Sequence, residues 1–108
     1  MKYIIPQDKV DKVIFKYLDL NLKGLEKREP KYYEGTIFTH NDETHGILGY
    51  KNNGNLYINY ELTDEISSVF GLSGSDSGYV ITRWFIDRFQ LKVKNTYETL
   101  GDTLRCKS

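Results

Sequence analysis

The chain has 108 residues, 15 Lys plus Arg against 15 Asp plus Glu, and a single cysteine. That length is one domain with one modest core, the balanced charge argues against a protein that holds nucleic acid chiefly by neutralising phosphates, and the lone Cys106 excludes an intrachain disulfide. No apolar run approaches the roughly 18 residues of a membrane span, and Met1–Pro6 carries no apolar leader core, so the expectation is no membrane, no secretory signal and a reducing cytoplasm.

Pro6 suits the first position of a helix, where its missing N–H costs nothing. Apolar residues then recur at Val10, Val13, Ile14, Tyr17, Leu18 and Leu22, a helical stripe that predicts a helix over 6–22, ending before Gly24. The charged segment 25–30 (LEKREP) reads as a loop. Runs rich in β-branched and aromatic residues follow at 31–39, 46–51 and 55–62, and each predicts a strand. Asn53-Gly54 is a strong hairpin signal, because a two-residue type I′ turn needs positive φ at both positions. That turn would set Tyr50 opposite Tyr57, Leu48 opposite Asn59 and Ile47 opposite Tyr60. One face would then carry Ile47, Leu56, Ile58 and Tyr60 as core, and the other Leu48, Tyr50, Tyr57 and Asn59.

Thr63 or Asp64 can cap a short helix whose Ile66, Val69 and Phe70 share a face and which Gly71 stops. Residues 73–78 (SGSDSG) read as a flexible link. Val80, Ile81, Trp84, Phe85 and Phe89 mark the strongest amphipathic helix, over 77–89, with Trp84 and Phe85 central in the core. Residues 91–97 (LKVKNTY) alternate as a last strand, and 98–108 read as a frayed polar tail. The expected fold is α+β: a two-layer single domain over 1–97 in the order α-β-β-β-α-α-β, an antiparallel meander with helices packed on one face, followed by the tail.

Candidate chemistry is sparse. His40, Asp42, Glu43 and His45 are all permissible metal ligands, but the two histidines lack the spacing that puts imidazoles on one helix face, and a solvated loop is the plainer reading. Ser67, Ser68, Ser73, Ser75 and Ser77 lie in no nucleophile-elbow frame. Cys106, in the expected tail, has no held histidine partner. The glycine-rich stretch 71–78 precedes a helix, yet it has no P-loop lysine, and Asp76 would repel a phosphate. An interhelical link capped by Ser75, Asp76 or Ser77 suits it better. The tyrosines on predicted strands could stack single-stranded nucleic acid, although few basic residues stand beside them. Packing under helices or at an interface between proteins accounts for them more simply.

The string from Ile81 to Tyr97, with its Arg83-Trp84, Asp87-Arg88, Lys92-Val93 and Asn95-Thr96-Tyr97 pairs and triplet, together with the upstream Glu65–Phe70 helix, resembles the endings of small uncharacterised proteins encoded by marine phages. The resemblance covers about a third of the chain and implies a phage source but no activity or site residue. It agrees with composition: the chain has no alanine and 11 Lys against 4 Arg, as an AT-rich genome would encode. The sequence thus favours an accessory protein in the host cytoplasm, not an enzyme and with no cofactor, that binds a protein partner or itself through a face bearing Leu48, Tyr50, Tyr57 and Asn59. A single-stranded nucleic-acid binder using that face and a small metal- or ligand-binding enzyme at the His40–His45 loop are the alternatives.

Overall fold

The computed structural model describes residues 7–31, 33–39, 46–100 and 104–106. Pro6 and the His40, Asp42, Glu43, His45 group lie outside the described residues. The order is α1 (Gln7–Asn21), β1 (Glu26–Arg28), β2 (Gly35–Thr39), β3 (Leu48–Lys51), β4 (Asn55–Asn59), α2 (Tyr60–Phe70), α3 (Gly74–Phe89) and β5 (Asn95–Thr99). The five strands form one sheet in sequence order. β1 to β4 are an antiparallel meander, and β5 runs parallel to β4, which the long two-helix crossover between them permits.

The fold is the expected two-layer α+β domain, with one strand more. Residues 26–28, read as loop, pair with Thr39, Phe38 and Ile37 of β2. A strand of Glu-Lys-Arg has no hydrophobic alternation to reveal it, because its support is the backbone ladder. All three helices pack on one face of the sheet, around Ile14, Leu18, Phe38, Leu56, Ile81 and Phe85. Trp84 is buried there as expected, at 3 % exposure. On α1 the stripe is narrower than predicted: Val13 is 57 % exposed, whereas Asp11 is buried and pairs with Arg83 of α3.

The hairpin pivots near Asn53-Gly54, but its register is one residue away from the expected one. Leu48 stands opposite Ile58, Gly49 opposite Tyr57 and Tyr50 opposite Leu56. Gly54 alone of the pair has positive φ, at 100°, and its N–H donates to the Lys51 carbonyl (3.0 Å). The loop is therefore three residues, 52–54, with glycine in the left-handed position, rather than a type I′ pair. A one-residue slip exchanges the faces of one strand relative to the other. Leu48 and Tyr50 thereby join Leu56 and Ile58 against the helices.

Two helix starts also differ from expectation. β4 ends at Asn59 rather than 62, because the Asn59 side chain accepts from the Glu61 N–H (3.0 Å) and starts α2 at Tyr60. α3 begins at Gly74, capped by Ser73, whose hydroxyl accepts from the Asp76 N–H (3.1 Å). The supposed flexible link is mostly the first turn of α3, and the cap is Ser73 rather than Ser75, Asp76 or Ser77. Gly71 does close α2, in the left-handed conformation. The last strand sits at 95–99 rather than 91–97.

The tail is no tail where it is described. Thr99 belongs to β5, and Leu104 and Cys106 are buried. Lys31 N–H donates to the Arg105 carbonyl (2.9 Å) and Gly46 N–H to the Leu104 carbonyl (2.8 Å). This segment packs with Ile37 as a second, smaller core. Ile37 aligns through Gly49 with Tyr57 and Tyr97 on the face away from the helices. Its mostly polar sequence disguises it, because two anchors suffice once a sheet face is available to receive them.

Candidate interaction surface

The register decides what the helix-free face presents. Ile37, Gly49, Tyr57 and Tyr97 are aligned across β2, β3, β4 and β5. At the β2–β3 half, Leu104, Cys106 and Tyr33 cover the face. Tyr33 reaches in because Gly49 leaves room: a methyl group at Gly49 would stand 2.3 Å from the Tyr33 hydroxyl and 2.5 Å from Leu104 Cδ2. The Tyr33 hydroxyl is buried and unpartnered among the described residues. Burial chiefly, with Tyr57 and Cys106 nearby, holds its pKa well above the usual phenol range.

Among the described residues, the β4–β5 half is left open. Tyr33 and Tyr57 rings lie 5.9 Å apart, and Tyr57 and Tyr97 stack at 5.5 Å with 25° between planes. Lys51 Nζ lies 5.5 Å from the centroids of both Tyr33 and Tyr57. Tyr97 is 47 % exposed. Asn55 and Asn95 stand beside the tyrosines, their side-chain amides 3.4 Å apart. The result is an amphipathic strip: ring faces for apolar contact, phenol and amide groups for hydrogen bonds, and one ammonium.

Of the expected face Leu48, Tyr50, Tyr57 and Asn59, only Tyr57 serves this strip. Leu48 is fully buried in the main core. Tyr50 stacks on Phe85 at 5.8 Å and donates its hydroxyl to the Lys92 carbonyl (2.6 Å). Asn59 is occupied as the α2 cap, and its amide donates to the Gly46 carbonyl (3.1 Å). The expected Tyr50–Tyr57 pair does not form, because the register places the two rings on opposite faces. Sequence reasoning weighed Tyr33 and Lys51 only as parts of a stacking platform, and it missed Tyr97. Tyr97 had a signal in its strand alternation, but its place beside Tyr57 depends on the parallel pairing of β5.

The catalytic candidates find structural employment. Ser67 and Ser77 hydroxyls bond to each other (2.8 Å), and Ser77 also donates to the Ser73 carbonyl (2.9 Å), joining α2 to α3. Burial pushes the Cys106 thiol pKa up, against the opposing charge of Arg28, so the reactive thiolate is disfavoured. Among the described residues no group of three or more His, Cys, Asp and Glu is placed to hold a metal, and no helix is long and apolar enough to cross a membrane. One ion pair joins α1 to α3: Asp19 accepts from Arg88 Nε (2.8 Å), Arg88 Nη2 (2.7 Å) and Trp84 Nε1 (2.9 Å). Arg88 foremost holds its carboxyl below the usual range, and Trp84 adds to that against partial burial.

No family model, curated protein or solved structure matches the chain.

Proposed function

We propose that the protein is a non-enzymatic binding module, phage-encoded and working in the host cytoplasm, that takes a protein partner on the open half of its sheet. The observation that carries this is the Tyr57–Tyr97 stack with Lys51 beside it, on the face the helices leave free. Tyrosine offers large, rigid, amphipathic contact area and is enriched at protein interfaces. A segment with apolar side chains for the rings and a carboxylate for Lys51 fits the strip. The phage origin rests on the resemblance of residues 81–97.

Stacked rings beside a cation also suit single-stranded nucleic acid, and that is the second reading. The formal charge of zero weighs against it, since such binding draws most of its strength from counterion release. The test compares wild-type protein with Lys51→Glu/Tyr57→Leu as paired baits in host lysate. The Leu retains apolar bulk against the smaller core. A partner held by wild type and weakened at least about tenfold by the variant, about 1.4 kcal/mol, is the expected result. Identical capture by both baits overturns the reading. Salt-sensitive retention of a thymidine oligonucleotide by wild type alone replaces it with the nucleic-acid one.

A further inference from the structure

The two edges of the sheet are built differently. β1, at one end, is three residues long, and all three are charged. Short length and charge are the usual guards against unwanted strand pairing. β5, at the other end, is five residues, Asn-Thr-Tyr-Glu-Thr, with one charge, no proline and β-favouring Thr and Tyr. No described strand lies beyond it. Its first four residues are exposed, as is Lys94 before it. The Lys94 N–H donates to the Gly54 carbonyl (2.7 Å), which extends the ordered edge by one residue.

We propose that β5 pairs antiparallel with β5 of a second copy across a two-fold axis, with Thr96 opposite Thr96. This register sets Lys94 of each copy opposite Glu98 of the other. Directly opposed residues share a face and interact, so two-fold symmetry makes two ion pairs from one charge pattern. Asn95 stands opposite Tyr97, and the two Tyr97 rings become diagonal neighbours, within the reach of aromatic side chains. The tyrosine row of one sheet thereby continues into that of the next, and the edge is closed. The pairing uses the edge of the sheet rather than its face, so it stands whether or not the Lys51–Tyr57 strip takes a partner.

Sedimentation velocity from about 1 µM to about 1 mM tests it on the whole chain. The expected mass rises with concentration from 12.6 kDa to twice that. Lys94→Glu and Glu98→Lys each weaken the dimer about tenfold, since two attractive pairs become repulsive, and the double exchange Lys94→Glu/Glu98→Lys restores it. Circular dichroism and melting confirm that these surface variants fold. Lys51→Glu/Tyr57→Leu dimerises as wild type does, which separates this outcome from that of the binding strip. A monomer at every concentration, a dimer indifferent to the single reversals, or a double exchange that fails to restore association overturns the proposal.

Discussion

Gly49 shows how one missing side chain organises a surface. Its empty Cβ position is occupied by the Tyr33 hydroxyl and Leu104, both drawn onto the face opposite the helices. Gly49→Ala should cost about 1–3 kcal/mol by overpacking, measured as a lowered urea midpoint. Tyr33→Phe removes the nearer of the two obstructing atoms, and with it a hydroxyl that is buried and unpartnered. It should therefore be close to neutral by itself and should recover part of the Gly49→Ala loss. Strict additivity of the two changes would contradict the contact. Nothing in the string Gly-Ile-Leu-Gly-Tyr-Lys announces this role. A glycine chosen for space and one chosen for a turn look alike until the atoms above it are placed. Asn59 was equally opaque, because its polar alternation in the strand concealed a helix cap.

The joining of α1 to α3 belongs to the scale of elements. The sequence shows two amphipathic helices but not that Asp19 of one meets Trp84 and Arg88 of the other. Asp19 has a depressed pKa in the folded protein. Its contribution to stability is therefore present above the unfolded carboxyl pKa, near 4, and is lost as pH falls through the lower folded value. Both partners are about 40 % exposed, so solvent screening limits the contribution to about 1 kcal/mol or less. Asp19→Asn should lower the denaturant midpoint at pH 7 and narrow its gap from wild type by pH 2.5. A gap unchanged between these conditions would remove the ion pair from the account. Helix existence was legible at this scale because 3.6-residue periodicity survives small errors. β1 was not, since its three charged residues owe their conformation to β2.

At the scale of the whole molecule, the chain builds two cores on one sheet. The larger lies under three helices, and the smaller is closed by Leu104 and Cys106 from the C-terminal segment. Cys106 therefore reports on the smaller core. Its thiol should react with a maleimide slowly in the native protein and rapidly in denaturant, because it is buried and its pKa is raised. Leu104→Ala should destabilise by about 2–5 kcal/mol and accelerate the labelling. Native labelling as fast as that of an unfolded peptide would return this segment to solvent.

Residue chemistry alone determined the class of fold, the three helices, the position of Trp84 and the neighbourhood of the hairpin, because these follow from the local periods of hydrophobic side chains and from glycine at turn positions. Tertiary structure decided which tyrosines meet. A strand's two faces are set by register, register turned on whether the loop held two residues or three, and both loops are compatible with Asn-Asn-Gly. The Tyr57–Tyr97 stack required, in addition, a parallel pairing across a two-helix crossover. No local pattern encodes that contact, because it joins residues whose neighbours in sequence give no sign of each other.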